Sequence, residues 1–142
     1  MKTIVRSLRN YQVEISSGNH RWVADEPEGV GDDAGPNPYE LLLGALGACK
    51  VITVQMYARK KGWPLQGVQV ALSTYKIHAK DCEDCESDPN AKIDVIECEI
   101  GFEGKLSSEQ VQRLVEISER CPVHRTLTSE TKIHTRLLES IP

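Results

Sequence analysis

The chain has no surplus of positive charge: 17 lysines and arginines stand against 21 acids, giving a net charge of −4 and a pI near 5.6. That excludes the basic footprint expected of a nucleic-acid binder. The opening Met1-Lys-Thr-Ile-Val-Arg6 is not followed by the apolar core of a secretory signal. No apolar stretch is expected to reach the length of a membrane span, which leaves a cytoplasmic protein with no membrane partner as the expectation. Repeats, low-complexity tracts and any sign of a second domain are missing too, so residues 1–142 read as a single domain. Five cysteines, an odd number in a reducing compartment, make a disulfide scaffold the weaker reading and reactive, metal-binding or buried thiols the stronger ones.

What the chain does have is one long apolar run. Two prolines, Pro36 and Pro38, lead into Tyr39-Glu-Leu-Leu-Leu-Gly-Ala-Leu-Gly-Ala-Cys-Lys-Val-Ile-Thr-Val54, and the segment continues without a breaker to Gly62-Trp63-Pro64. Proline fixes φ and lacks an N–H that the first helical turn does not use, so the run predicts a helix from Pro38 to Lys61. From Leu41 to Ala48 it is apolar or small on every face, and 142 residues are few to cover such a helix, so a second copy is expected to supply cover. Arg59, Lys60 and Lys61 suit the negative end of the helix dipole and read as a solvated helix end.

Around this helix the patterning alternates. Residues 11–15 and 20–25, joined by Ser16-Ser-Gly-Asn19, predict a hairpin, and Glu26 to Asn37 is a loop rich in glycine, proline and acid. Residues 68–78 and the stretch around Ile96, Cys98, Ile100 and Phe102 predict strands with one wet face. A second helix is expected after Ser107, whose spacing to Gln110 is that of a capping box, with a buried stripe of Val111, Leu114, Val115 and Ser118 and an end at Cys121, before Pro122. Residues 131–137 alternate as a final strand. The order is α+β.

Cys49, inside the apolar helix, and Cys121, at the end of the second helix, can meet only through the tertiary fold. If they do, one sulfur can attack and the other can resolve the resulting sulfenic acid as a disulfide. A thiol in apolar surroundings is inert without a nearby cation or donor, for which Arg21, Arg125 and His124 are the candidates. Ordinary packing is the competing reading for both cysteines. Cys98 reads as core, and His20, His78 and His134 as surface or half-buried side chains. Cys82-Glu-Asp-Cys85 with His78 offers three zinc ligands, but no second Cys-x-x-Cys completes a set of four. Its acidic flanks disfavour a redox pair, and a solvated polar loop is the plain alternative.

Gly35-Pro-Asn-Pro-Tyr-Glu-Leu-Leu-Leu-Gly-Ala-Leu-Gly-Ala-Cys49, followed far downstream by Glu119-Arg-Cys-Pro-Val-His-Arg-Thr-Leu127, resembles the OsmC family, which includes the organic hydroperoxide resistance proteins. The resemblance covers nearly the whole chain and sits closest to the less characterised Pro-Tyr-Glu-Leu-Leu branch. It implies an intertwined α+β homodimer with the two cysteine helices central and antiparallel-rich sheets wrapped around them. It implies a thiol peroxidase in which Cys49 attacks an organic hydroperoxide, Cys121 resolves it, and an external dithiol reduces the disulfide, with no metal or organic cofactor. It also implies an activating arginine on the N-terminal sheet, best matched by Arg21. The glutamate that orients this arginine in the family falls at Tyr39, with Glu40 one residue later and therefore rotated by about 100° around the helix. That departure keeps open a non-catalytic or weakly active small-molecule-binding or redox role, with or without zinc at His78, Cys82 and Cys85.

Overall fold

The computed structural model describes residues 1–142. Three strands come first, β1 (Thr3–Ser7), β2 (Val13–Ser17) and β3 (His20–Ala24), followed by helix α1 (Pro38–Lys61), strands β4 (Leu65–His78) and β5 (Lys92–Gly104), and helices α2 (Ser108–Ser118) and α3 (Pro122–Thr128). The α+β class expected from the sequence is therefore observed, with strands arranged as a three-stranded sheet β1-β2-β3 and a two-stranded sheet β4-β5. The chain divides into two compact units, Met1–Gly47 with Leu72–Cys98 and Ala48–Ala71 with Glu99–Pro142.

In the first unit the predicted hairpin forms β2 and β3, closed by a two-residue turn in which Gly18 takes φ +57°, the left-handed conformation that hairpin turns need and glycine adopts without strain. β1 adds to it as an antiparallel edge that the sequence pattern does not announce. Its register places Val5 and Trp22 on either side of buried Ile15. Where β3 ends, Asp25 is buried and its carboxylate accepts three backbone N–H bonds, from Glu26 at 2.8 Å and from Asp32 and Ala34 at 3.1 Å each. The acidic, glycine-rich loop is thus strung from one side chain. At its far end Gly35 passes so close to the Val23 carbonyl that any Cβ would overlap it.

The chain then enters α1, whose bounds match those predicted. Asn37 and Glu40 cap it reciprocally: the Glu40 N–H donates to Asn37 Oδ1 at 2.9 Å and the Asn37 N–H to Glu40 Oε2 at 2.8 Å. A single chain covers α1 only in part, and Leu42, Ile52 and Met56 are exposed. One expectation is corrected here. By length and composition α1 could cross a membrane, with 24 residues and a mean hydropathy of 1.5 over an 18-residue window. Between Leu41 and Ala58 the only charge is Lys50, so the run is more continuously apolar than its basic end suggests. Core helices of soluble proteins meet the same criterion.

In the second unit Val54 and Ala58 of α1 pack against Leu114 and Ile117 of α2, with Tyr57, Trp63, Phe102 and Leu106 around them. The capping box at Ser107 and Gln110 forms as expected, with bonds of 3.1 and 2.9 Å. The buried stripe of α2 differs from the one predicted: Leu114, Ile117 and Ser118 face inward and Val115 is exposed, because one residue turns the side chain about 100° away from Leu114. The chain does not stay irregular after Pro122 but starts α3 with proline in its first turn, where no N–H is required. Two further readings are corrected. Cys98 lies exposed on β5 rather than in a core. Residues 131–137 form no strand; alternation alone cannot make one without a neighbouring edge to supply hydrogen bonds, and Ile133 and Leu137 stand 88% and 96% exposed.

Burial raises the pKa of Asp25, but its three N–H donors and the charge of Arg9 outweigh burial and the net shift is downward. Its contribution to stability is therefore complete above the ordinary value of 3.8 and disappears as pH falls through the lower folded-state value. In Asp25→Ala, hydrogen exchange at the amides of Glu26, Asp32 and Ala34 is expected to accelerate at least about tenfold at neutral pH while the Leu114 amide stays protected. Unchanged exchange at those three amides would remove the carboxylate from its anchoring role.

Candidate functional site

The two cysteines singled out by the sequence meet within the second unit. Cys49 is half-buried on α1, and Cys121 is completely buried at the residue that precedes α3. Because Pro122 fixes the first turn of α3, the Cys121 side chain turns back and its sulfur accepts the His124 N–H at 3.3 Å. The Cys49 sulfur lies near enough to act on it. Burial pushes the Cys121 thiol up; the His124 N–H and the Lys50 charge pull the other way, the Cys49 sulfur adds to the rise, and the net shift is upward. Cys121 is thus held protonated and sealed from solvent.

Lys50 is the residue that sequence reasoning misses. It occupies the stripe Leu46, Lys50, Val54 and Ala58, spaced four apart on α1 and all buried, where three of the four are apolar. Lys50 is 2% exposed, and its ammonium donates to the Ser118 carbonyl, to Glu119 Oε1 and to His124 Nδ1, each at 3.2 Å. Three donors meet three acceptors. Glu119 Oε2 lies 3.6 Å from the same ring nitrogen of His124. A single lysine interrupting an apolar run is the available signal.

Arg21 lies on β3 with its guanidinium in solvent, 3.4 Å from Glu14 across the hairpin. Such an exposed pair holds the side chain only weakly. Glu40 is engaged at the start of α1 by the Asn37 N–H. Of the other cation candidates, His124 joins the thiol pair through both its backbone N–H and its ring's link to Lys50, whereas Arg125 is exposed.

The reading of His78, Cys82 and Cys85 as zinc ligands is corrected: Cys82 and Cys85 are joined as a disulfide, so neither sulfur is free to ligate. The short turn after β4 brings their Cα atoms to 5.5 Å, inside the range a disulfide spans. The Asp84 carboxylate lies within 4.8 Å of both sulfurs. A separate hollow of about 530 Å³ lies along β4 and β5, lined by residues including Val68, Ala71, Ile100 and Phe102, and includes neither Cys49 nor Cys121.

Residues 31–136 match the protein family described as OsmC-like protein. Sequence comparison with curated proteins finds no match. Among solved structures the fold is similar to an OsmC-like protein from Mycoplasma pneumoniae, at 17% identity over 89% of this chain and 85% of that one, with a TM-score of 0.70. It is similar to the organic hydroperoxide resistance protein OsmC of Legionella pneumophila, at 18% identity over 90% of both chains and a TM-score of 0.63. The organic hydroperoxide resistance protein OhrB of Bacillus subtilis aligns at 16% identity over 89% of both chains, with a TM-score of 0.60.

When the reduced protein is treated with iodoacetamide and digested, the Cys49 peptide is expected to be alkylated at least about ten times faster than the Cys121 peptide, because Cys49 is half-buried whereas Cys121 is completely buried and its thiol is pushed up. Equal rates would contradict the asymmetry of the pair.

Proposed function

This chain belongs to the OsmC-like family, and from that membership and its thiol pair we propose that it is a soluble cytoplasmic peroxidase that reduces organic hydroperoxides through Cys49 and Cys121. The observation that carries the reading is the pairing itself: two cysteines far apart in sequence lie near enough to act on one another, one half-buried and one sealed. The relatives from Legionella pneumophila and Bacillus subtilis carry hydroperoxide resistance in their names, which supports the same theme.

In this reading the Cys49 thiolate attacks the distal oxygen of the hydroperoxide. The S–O bond forms as the O–O bond breaks, the alkoxide leaves as alcohol after taking a proton, and Cys49 is oxidised to sulfenic acid. Cys121 then attacks the Cys49 sulfur, the S–S bond forms, and hydroxide departs with the Cys121 proton as water. An external dithiol reduces the disulfide by exchange and is itself oxidised. Arg21 is assigned the cationic role toward the peroxide, since its exposed pairing with Glu14 costs little to break. Glu40, which accepts the Asn37 N–H at the start of α1, is assigned the carboxylate role toward that arginine. The chemistry is carried by the chain's own sulfurs.

A homodimer is part of the proposal. Leu42, Ile52 and Met56 of α1 and the side chains of Ile133 and Leu137 are apolar and exposed on a single chain, surface that a second copy would cover.

Mixing the reduced protein with cumene hydroperoxide is expected to consume two thiols per chain in the wild type, with loss reversed by dithiothreitol, and none of that pair in Cys49→Ser. A thiol count unchanged by peroxide, or equal loss in Cys49→Ser, would sink the peroxidase reading and favour the ligand-binding one. Native mass spectrometry is expected to give a dimer for the full chain, and a monomer at all concentrations would refute the second copy.

A further inference from the structure

The peroxidase cycle proposed above asks the most of Cys121. A completely buried sulfur has to give up its proton at the moment it attacks, and burial alone opposes that. We propose that Lys50 is a positioning residue for this resolving step: its buried ammonium, clasped by Ser118, Glu119 and His124, supplies the positive charge against which Cys121 releases its proton and attacks oxidised Cys49.

The geometry of the clasp carries the inference. Ser118 and Glu119 lie three and two residues before Cys121 and His124 three residues after it, so all three acceptors belong to the one turn that carries the sulfur. Lys50 itself follows Cys49 on α1. The ammonium therefore ties the helix holding one thiol to both flanks of the other. Burying a lysine is costly, and an apolar side chain at this place in the stripe Leu46, Lys50, Val54 and Ala58 would serve packing better. A role in packing does not explain the charge.

The charge is also incompletely neutralised from its own side. Glu119 is the one anion among the three acceptors, and its side chain is 57% exposed, where water weakens its hold. The Ser118 carbonyl and the His124 ring nitrogen bring no negative charge to it. The groups acting on Cys121 are then the His124 N–H, the Lys50 charge and the Cys49 sulfur, with Glu119 paired to the ammonium. A thiolate forming at Cys121 would be the second anion the ammonium serves. No proton acceptor beyond the departing hydroxide is required, since Cys121 loses one proton and the sulfenic oxygen leaves as water.

The test reads Cys121 apart from peroxide chemistry. In a Cys49→Ser background, the native protein is labelled with an alkylating agent over a range of pH and the rate at the Cys121 peptide is read by mass spectrometry. Lys50→Met is expected to move the profile to higher pH and slow labelling at pH 8 roughly tenfold, the equivalent of one pKa unit. Lys50→Arg is expected to keep the profile near that of the parent. Glu119→Gln, which frees the ammonium from its counter-ion, is expected to move the profile to lower pH and speed labelling. Opposite signs for Lys50→Met and Glu119→Gln are what a merely structural lysine would not produce. Unchanged profiles, or shifts of the same sign, would overturn the proposal. Should Lys50→Met fail to fold, the Glu119→Gln shift decides alone, and no shift or an upward one overturns it. Since this titration involves no peroxide, an inactive protein with the expected shifts would sink the peroxidase cycle and leave the Lys50 assignment standing.

Discussion

An ammonium group removed from water needs an acceptor for every N–H bond, and the organisation of the second unit depends on how Lys50 meets that need. Its three acceptors come from one short turn, so satisfying the charge fixes where that turn lies against α1. The same stripe of α1 continues one helical turn later into Val54 and Ala58, which close on Leu114 and Ile117. Polar and apolar contacts along one face of one helix therefore hold α2 and the start of α3 together, and the two thiols meet because both are attached to that arrangement. His124 serves it twice, with its ring toward Lys50 and its N–H toward Cys121.

Features set by neighbours in sequence are legible without a structure. The bounds of α1, the hairpin of β2 and β3, the two long strands and the capping box at Ser107 all follow from local rules of proline, glycine, alternation and side-chain reach. The features that escape are those that local rules leave undecided. Val115 and Ile117 are both apolar, and only packing selects Ile117. β1 exists because β2 offers it an edge, while the alternating residues 131–137 pair with none. Cys98 alternates as a core residue should, yet faces outward in a single chain. Compartment and flanking charge argue against a Cys82–Cys85 bond, but neither decides whether two sulfurs on one tight turn are joined.

The candidate site is legible in the sequence at the level of its thiols and not of its charges. Cys49 and Cys121 stand out through family resemblance, and that same resemblance directs the search for a cation toward arginines. The buried positive charge is instead the residue next to Cys49, visible in the sequence as the only charge in a long apolar run. Glu40 reads as an orienting carboxylate one position out of place, while its spacing to Asn37 is that of a helix cap, the same pattern found at Ser107 and Gln110.

The approach to α1 has a consequence that belongs to the unfolded chain. Pro36 and Pro38 restrict φ at two of the residues entering the helix, and each also confines the residue before it, so Gly35 and Asn37 lose freedom as well. Glycine at 35 would otherwise be the most disordered residue of the segment, and it is there because the Val23 carbonyl leaves no room for a Cβ. The two prolines remove from the denatured ensemble part of the entropy that this obligatory glycine adds to it. A sterically forced weakness in the native fold is in this way offset in a state where the fold does not exist.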